Sequence, residues 1–423
     1  MVCRMCKGSG LEMFLDLGFT PPADQFQRKE QLREPSIYYP LQVAICPSCG
    51  LAQLSHVVSP EVLYRNDYPY ESSITKTGHR HWDEFARSTT ERFELGPKDL
   101  VVDIGSNVGV LLSAFKSSGV RVLGVDPAPN IVRIAEKRGI ETVSEFFSED
   151  VVTHILKTKG PTTVITATNV FAHVDDLDSF MQAVIHLLKE DGVFILEAPY
   201  FANLVKHLEY DTIYHEHLSY LSVKPLIRFF AKFGMEIFDI GLRDIHGGSF
   251  RVFVSRQGKR PTSPIVAKLL EDEEKMGLHD LKTLKQFSQA VENNRQELLW
   301  LLRSLKRKGS RIVGVSAPAK GMTLLNYCRI GTETLDFVTE KSTLKIGRYT
   351  PGTHIPVLSD DELIRQQPDY ALLLAWNFAD EIMENLKSFG EAGGKFIIPI
   401  PTPQVVDKQP GKTTVPVLPL ARV

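Results

Sequence analysis

The sequence lacks a long apolar run and an excess of charge of either sign. Its 423 residues carry 49 basic and 51 acidic side chains, which give a formal net charge of −2. This balance provides no global electrostatic attraction to nucleic acid or to a membrane surface. The first residues do not form the apolar core of a signal peptide, and no run of about 18 apolar residues follows. We therefore expect a cytoplasmic protein without nucleic-acid or membrane partners; its oligomeric state is left open, a monomer included.

Cysteine is scarce as well, with five residues in the chain. Four of them form two C-x-x-C pairs, Cys3 with Cys6 and Cys46 with Cys49. Two such pairs complete the tetrahedral thiolate set of a structural zinc ion, with no position left open for catalysis. Two redox disulfides are the alternative, which a cytoplasmic location disfavours. A zinc module that binds nucleic acid is a further alternative, but no basic cluster surrounds the pairs.

The rest of the chain is organised around residues 101–110 (VVDIGSNVGV), in which a β-branched run and an acid lead into a Gly/Ser/Asn turn. An apolar helical pattern follows, so this is the strand–turn–helix unit of a doubly wound sheet. A second buried strand ends at Asp126, 21 residues after Gly105. A carboxylate at this position can bind a ribose diol. The turn differs from G-x-G-x-x-G, so S-adenosylmethionine fits better than NAD. This pattern resembles a class I methyltransferase; a generic Rossmann-like unit with another ligand is the alternative.

Further donor-site residues follow from the position of this unit. Glycines in the turn let the backbone come close to a ligand, because a Cβ there would collide with it. Aromatic residues after the third strand can support an adenine ring. The fourth strand ends near Asn169 and His173, at the sheet edge where open α/β folds bind ligands, although His173 could also be a core histidine. The predicted donor site consists of Asp103, Gly105, Ser106, Asn107, Gly109, Asp126, Pro127, Phe146, Phe147 and Asn169.

The densest polar cluster follows the fifth strand, in residues 210–220 (YDTIYHEHLSY). Its histidines, His215 and His217, are two residues apart, which differs from the H-E-x-x-H zinc motif. A metal centre here would also need a third ligand that the sequence does not identify. We therefore favour acid–base chemistry, because two imidazoles, a carboxylate and a phenol can deprotonate a carbon acid and stabilise its enolate.

A second α/β unit follows one or two long amphipathic helices that we predict over residues 264–308. Residues 311–327 (RIVGVSAPAKGMTLLNY) again indicate a strand, a loop and a helix. Lys320 lies at the predicted helix N-terminus, where anionic oxygens bind favourably, and is either a phosphate contact or a surface charge. The alternation continues to a last strand within residues 395–401.

The predicted fold is α/β: a class I methyltransferase Rossmann-like core with a small N-terminal zinc-binding domain and a C-terminal Rossmann-like α/β domain. Aromatic and hydroxyl-rich residues 60–82 join the first two parts and form either a lid over a polar ligand or a packed junction. The predicted domains are residues 1–75 (zinc binding), 76–262 (methyltransferase) and 263–423 (long helix plus C-terminal α/β domain).

Together these features resemble the sugar C-methyltransferases that act on nucleotide-linked keto-deoxysugars, such as the C-3′-methyltransferases of tetronitrose and mycarose biosynthesis. The resemblance covers essentially the whole chain. Its most specific parts are residues 46–54 (CPSCGLAQL), 214–217 (YHEH) with Tyr220, 319–327 (AKGMTLLNY) and 351–356 (PGTHIP). The family commonly has Asn-Asp-Gly in the donor loop, whereas Val108 replaces that Asp here.

The resemblance implies a four-thiolate zinc site, donor binding in the middle domain, and a nucleotide-sugar between the middle and C-terminal domains. It matches His217 to the base that removes a proton beside the ketone. The surrounding catalytic residues that it implies are Tyr214, Glu216, His173 and Tyr68. The substrate-binding residues expected with them are Tyr70, Ser72, His215, Lys320, Asn326, Arg348 and His354.

The expected reaction is C-methylation of a nucleotide-linked 4-keto-deoxysugar, with S-adenosylmethionine as cofactor and structural Zn²⁺. His217 would remove the C3 proton, Tyr214 or another nearby donor would stabilise the enolate, and the carbanion would take the methyl group in line. The nucleotide is left open, and so is the choice between C3 and C5. An O- or N-methyltransferase acting on another nucleotide or small molecule is the alternative. A zinc-bearing nucleic-acid-binding module is an alternative of a different class.

Overall fold

A computed structural model describes residues 1–65, 68–71, 76–245 and 247–406 of the chain, which form three β-sheets with helices packed on them. The strands are β1 (Glu12–Thr20), β2 (Tyr39–Ile45), β3 (Ala52–Leu54), β4 (Leu100–Ile104), β5 (Arg121–Val125), β6 (Thr142–Val143), β7 (Thr162–Thr168), β8 (Leu188–Pro199), β9 (Ser219–Tyr220), β10 (Met235–Arg243), β11 (Ser249–Arg256), β12 (Ile312–Val315), β13 (Val338–Glu340), β14 (Val357–Ser359), β15 (Tyr370–Leu373), β16 (Lys395–Ile398) and β17 (Gln404–Val406).

The α-helices are α1 (Pro60–Tyr64), α2 (Lys76–Arg92), α3 (Val110–Ser117), α4 (Pro129–Lys137), α5 (Glu149–Thr158), α6 (Leu177–Leu187), α7 (Phe201–Lys206), α8 (Val223–Ala231), α9 (Pro264–Met276), α10 (Leu281–Arg307), α11 (Ala319–Cys328), α12 (Asp361–Gln366), α13 (Ala379–Asn385) and α14 (Lys387–Glu391). Short 3₁₀ turns cover Lys29–Arg33, Phe171–His173, Tyr210–Thr212 and Trp376–Phe378. No helix in these described ranges is both long and apolar enough to cross a membrane.

The middle sheet has the strand order β10-β11-β8-β7-β4-β5-β6. Strands β6, β5, β4, β7 and β8 are parallel, whereas β11 and β10 run antiparallel at one edge. Side chains of β4 alternate between two cores, with Val102 and Ile104 in one and Val101 in the other. Burial on both faces is typical of a doubly wound parallel sheet. The predicted doubly wound α/β core is therefore present.

The C-terminal sheet has the order β14-β13-β12-β15-β16-β17. Its first five strands are parallel and β17 pairs antiparallel with β16. The sequence placed the last strand within residues 395–401, but β16 already ends at Ile398 and β17 follows. Proline has no amide proton for a sheet ladder, so Pro399 and Pro401 separate the two strands.

The N-terminal sheet is antiparallel, with the order β1-β2-β3-β9. Strands β1, β2 and β3 come from the cysteine-bearing segment, whereas β9 comes from the polar cluster that follows the fifth predicted strand. The β3–β9 pair joins Ala52 to Tyr220 and Gln53 to Ser219. The N-terminal sheet therefore fixes the last residues of the polar cluster. Strand β9 has only two residues, so its pairing could not be predicted from the sequence.

Helices α9 and α10 confirm the amphipathic pattern predicted over residues 264–308. Gly277 ends α9 in the left-handed conformation with φ 62°, which glycine adopts without a Cβ penalty. Leu284 and Val291 of α10 share one hydrophobic core with Val43 of β2 and Leu372 of β15. This long helix thus contacts both the N-terminal and the C-terminal sheet and joins them through one hydrophobic core.

Candidate active site and zinc site

The two cysteine pairs converge on one point. Tight backbone turns bring each pair together, since the Cys3 amide donates to the Gly8 carbonyl (2.8 Å) and the Cys46 amide to the Leu51 carbonyl (2.9 Å). All four Sγ atoms lie within 4.8 Å of one another. The closest pairs are 3.5 Å and 3.6 Å apart. Sulfur atoms about 2.3 Å from a tetrahedral zinc ion are about 3.8 Å apart, so this set fits zinc; a disulfide would need about 2 Å.

A large cavity of ≈ 1120 Å³ lies at the carboxyl ends of the middle-sheet strands and reaches the C-terminal sheet. Residues next to all three sheets line it: Asp24 follows β1, Asp126 follows β5, and Lys320 lies in the first turn of α11. A cavity of this size and position is typical of a ligand site in open α/β folds. The N-terminal segment is thus part of the cavity wall and not only a separate metal module.

The donor side of the cavity brings together nearly all of the predicted cofactor-binding residues. Those that line the cavity are Asp103, Gly105, Ser106, Asn107, Asp126, Pro127, Phe146, Phe147 and Asn169. Gly109 does not line it. This residue stands just before α3 with φ 74°, and an added Cβ would lie 3.0 Å from Ile140. Its role in the structure is therefore helix packing.

Asp126 fixes the donor loop through both carboxylate oxygens. Its Oδ2 accepts the Asn107 amide proton at 2.9 Å, and its Oδ1 accepts that of Ala128 at 2.9 Å. Burial raises the pKa of this carboxyl, while the two amide bonds act in the opposite direction. Burial also raises the pKa of Asp103 to about 7, although the Thr166 hydroxyl donates to it at 2.6 Å.

Two residues that line the cavity carry buried oxygens without a partner in the described ranges. Ser106 Oγ and Asn169 Oδ1 have no hydrogen-bond partner within the part of the chain that the structure describes. Buried polar atoms are nearly always satisfied in the working protein, so these atoms fit a polar cofactor. Glycine is needed at position 105 for a different reason from the one predicted. An added Cβ would lie 2.2 Å from Val170 Cγ2, so the close packing of this side chain leaves no room for a larger residue.

His217 lies on the cavity wall with its ring orientation set by the backbone. Its Nδ1 is 2.7 Å from the Thr212 carbonyl oxygen. A carbonyl only accepts, so Nδ1 carries the proton and the neutral ring has its lone pair at Nε2. The ring centroid is 4.0 Å from that of Tyr214 and 5.1 Å from that of His173. The arrangement suits a general base whose tautomer is fixed in advance.

His173 is the second imidazole in the cavity. The Tyr64 hydroxyl is 3.1 Å from its Nδ1, and its Nε2 has no partner among the described residues. Burial lowers the pKa of His173 well below its usual range, and the charge of His217 adds to this effect. The ring is therefore neutral at physiological pH, and it can exchange hydrogen bonds but carries no positive charge.

Glu216 is a buried carboxyl beside the two histidines. Its pKa is raised from the usual 4.5 to about 8: burial is the largest cause and the charge of Asp24 acts in the same direction, against the opposing effects of Tyr68 and Lys345. The Tyr68 hydroxyl donates to Oε2 of Glu216 at 3.1 Å. At neutral pH the carboxyl is thus protonated and can donate a hydrogen bond into the cavity.

We expect Glu216→Gln to change how stability depends on pH. The folded wild-type protein keeps the Glu216 proton up to about pH 8, whereas the unfolded chain loses it near the usual 4.5. Stability of the wild type therefore falls as pH rises through this window. The variant has no such group. The difference between its free energy of unfolding and that of the wild type should therefore increase with pH up to about pH 8 and stay constant above it.

Urea unfolding across this window measures the difference. Glu190→Gln is the matched control, because Lys259 lowers the pKa of that exposed carboxyl. Stability curves of wild type and Glu216→Gln that run parallel across the window would contradict the prediction.

The substrate side of the cavity holds Tyr70 and Lys320. Lys320 is no simple surface charge: its side chain is 13% exposed. Its Nζ lies 3.2 Å from Asn377 Oδ1 and 4.5 Å from the centre of the Trp376 ring. The Tyr70 carbonyl accepts a hydrogen bond from the Asn107 side chain at 3.1 Å. Both residues line the same cavity as His217.

Other predicted substrate residues are not brought to this cavity. His215 is buried against the Tyr39 ring, with centroids 5.8 Å apart. Asn326 donates to the carbonyls of Met322 and Pro351, and Arg348 lines a separate cavity of ≈ 370 Å³. His354 adopts φ 53° in the turn after Gly352. Ser72 lies outside the described residues.

Sequence reasoning missed an ion pair on the cavity wall. Asp24 Oδ1 is 3.2 Å from Lys345 Nζ, and both side chains are only 6% exposed. Lys345 also donates to the Ala317 carbonyl at 2.9 Å. The two residues lie in loops of different sheets and far apart in sequence, so no local pattern connects them.

Three family models match consecutive parts of the chain. A zinc binding domain model matches residues 3–64, a methyltransferase domain model matches residues 79–239, and a C-methyltransferase C-terminal domain model matches residues 244–401. Together they follow the order predicted from the sequence.

The similar proteins match this chain over different lengths. C-methyltransferase NovU of Streptomyces niveus is 36% identical over 408 residues, which are 96% of this chain and 97% of that protein. A ubiquinone biosynthesis O-methyltransferase of Methylobacterium sp. (strain 4-46) is 31% identical over 24% of this chain and 43% of its own length. Among solved structures, an S-adenosylmethionine-dependent methyltransferase from Clostridium acetobutylicum ATCC 824 is 16% identical with a TM-score of 0.35, over 44% of this chain and 94% of that chain.

These matches decide the class of the protein. Residues over nearly the whole length align with a C-methyltransferase, and the fold, the donor-side cavity and the cysteine cluster agree with that match. The predicted fold class, the enzyme class (S-adenosylmethionine-dependent methyltransferase) and the two cofactors, S-adenosylmethionine and structural zinc, are confirmed. The chain belongs to the C-methyltransferase family with an N-terminal zinc binding domain.

Proposed function

We propose that this C-methyltransferase methylates C3 of a nucleotide-linked 4-keto-deoxysugar. One observation carries the proposal: a base of fixed tautomer, His217, shares a cavity with a protonated carboxyl and with Lys320. A carbon next to a ketone becomes a nucleophile only when its proton is removed and the resulting enolate oxygen is stabilised. The cavity offers groups for both tasks.

The donor is proposed to bind along β4, β5 and β7. S-adenosylmethionine supplies an electrophilic methyl group on its sulfonium. Asp126, held by two amide bonds, is proposed to accept hydrogen bonds from the ribose. Ser106 and Asn169 contribute the buried oxygens described above, and Phe146 and Phe147 offer aromatic surfaces for the adenine.

His217 is proposed to take the C3 proton at Nε2, and the electron pair of the broken C–H bond moves to form the enolate. The Thr212 carbonyl supports the resulting imidazolium, because it accepts the Nδ1 proton at 2.7 Å. Tyr214 and the protonated Glu216 donate hydrogen bonds to the enolate oxygen. Tyr68 and the neutral His173 complete the polar wall and orient these groups.

Lys320 is proposed to bind the diphosphate of the substrate. It lies in the first turn of α11, a helix of ten residues whose N-terminus favours anionic oxygens. Buried Lys345 lies on the same wall, where Asp24 balances its charge. This side of the cavity is formed by the C-terminal sheet, which supports nucleotide-sugar binding between the middle and C-terminal parts.

Cys3, Cys6, Cys46 and Cys49 are the proposed zinc ligands, and residues 1–75, 76–262 and 263–423 the proposed domains. Cysteines that bind a metal and form no disulfide suit a reducing compartment, which supports the proposal that the enzyme works in the cytoplasm.

The test uses S-adenosylmethionine with a labelled methyl group and a panel of nucleotide-linked 4-keto-6-deoxysugars in deuterated water. Mass spectrometry and NMR locate the label and any exchanged proton. We expect the label on C3 of the ring. A label on C5 would correct the position, and deuterium exchange without transfer would retain the enolate chemistry but reject the acceptor tested. A label on oxygen or nitrogen would overturn the proposal.

A further inference from the structure

Asp211 is a buried carboxylate close to the active site that does not line the cavity. It lies in the 3₁₀ turn Tyr210–Thr212 and has no exposed surface. Its Oδ2 accepts a hydrogen bond from Trp376 Nε1 at 2.7 Å and is 3.7 Å from Lys320 Nζ. Both partners belong to the C-terminal part of the chain, whereas the turn belongs to the middle part.

The neighbours of Asp211 are fixed by the same C-terminal elements. The Tyr210 hydroxyl donates to Asn294 Oδ1 on α10 at 2.8 Å. The Thr323 hydroxyl on α11 donates to the Ile213 carbonyl at 3.1 Å. The preceding carbonyl, that of Thr212, accepts the Nδ1 proton of His217 at 2.7 Å. The peptide that orients His217 is thus held on both sides by side-chain hydrogen bonds to helices α10 and α11.

We propose that Asp211 is a positioning residue: its bonds to Trp376 and Lys320 fix the Thr212 carbonyl and, through it, the ring of His217. This inference rests on the proposed role of His217 as the base. It also means that Lys320 links the substrate side of the cavity to the orientation of His217.

The charge of Asp211 gives this link its strength. Burial raises the pKa of Asp211 to about 6, while the charge of Lys320 and the hydrogen bond of Trp376 lower it. At neutral pH the group is therefore mostly ionised, and a charged acceptor forms a stronger hydrogen bond than a neutral one. Asparagine at this position keeps an acceptor for Trp376 but loses the attraction to Lys320.

The test compares Asp211→Asn and Asp211→Ala with Asp99→Asn. Asp99 is a matched control because its carboxylate also accepts bonds from a hydroxyl and a lysine, Thr163 and Lys189, but just before β4, at the strand end opposite the cavity. We expect Asp211→Asn to lower kcat for methyl transfer about 10-fold to 100-fold, because small displacements of a catalytic group have effects of that size. Asp211→Ala should lower it further.

A second measurement does not need the acceptor. Amide hydrogen exchange of the peptide that covers residues 210–217 should increase in Asp211→Asn and stay unchanged in Asp99→Asn. Wild-type kcat and exchange in Asp211→Asn would overturn the inference. Increased exchange over the whole chain would also overturn it, because it would indicate a general structural role. If the wild type methylates a heteroatom, the proposed function fails, while local exchange still decides whether Asp211 positions this segment.

Discussion

Replacing His217 by asparagine is expected to lower kcat for methyl transfer by about 10²-fold to 10⁴-fold, the usual contribution of a general base. Asparagine retains a polar side chain of smaller size but has no lone pair that can take a proton near neutral pH. S-adenosylmethionine should bind as in the wild type, because the predicted donor residues lie on β4 or in the loops that follow β4, β5, β6 and β7. Steady-state kinetics and calorimetric titration of the donor measure the two effects separately.

His154→Asn is the control for this prediction. His154 is an exposed histidine on α5 and does not line the cavity. This control should keep full activity. Full methyl transfer by His217→Asn would reject His217 as the base and direct attention to Tyr214 or Glu216. Loss of donor binding in His217→Asn would instead show that the substitution disturbs the whole cavity.

Replacing Cys46 by serine is expected to remove the zinc ion and to unfold the N-terminal sheet. Structural zinc sites contribute on the order of 10 kcal/mol of apparent binding free energy, which the folded state alone gains. Activity should fall with the metal, although zinc takes no part in the chemistry, because Asp24 of the cavity wall and the β3–β9 pair depend on this sheet. Metal analysis, thermal melting and activity are measured on the same preparation.

Cys328→Ala serves as the matched control, since Cys328 is a buried thiol outside the metal cluster. It should retain one zinc ion per chain. A Cys46→Ser protein that is folded and active without metal would contradict the structural role of zinc.

The sequence predicted the parts of the fold that local patterns encode. The two C-x-x-C pairs indicated their own convergence, because each pair lies on one turn and zinc requires four ligands. The run at residues 101–110 indicated a parallel sheet, and this placed Asp126 and Asn169 at the correct edge. The position of Lys320 at the start of a helix was predictable for a similar reason, because the helix follows a buried strand.

What the sequence could not predict depends on contacts between distant segments. Asp24 and Lys345 form an ion pair only because two loops of different sheets meet at the cavity. Gly105 was interpreted as space for a ligand, whereas Val170 from another loop occupies that space. His215 stands between Tyr214 and Glu216 in sequence, yet its side chain packs against Tyr39 on β2. Side chains of consecutive residues thus pack in different environments, and a sequence motif alone does not reveal which of its side chains face the cavity.

The pairing of β3 with β9 limits how this protein can be recombined with its relatives. A chimera that exchanges residues 1–64 alone would join a foreign β3 to the native Ser219 and Tyr220. Deleting the same residues would leave β9 as an exposed strand edge beside the catalytic segment, and such edges favour aggregation. Exchange of the zinc-bearing part therefore requires that residues 219–220 travel with it, so the boundary of the exchangeable unit in space differs from its boundary along the chain.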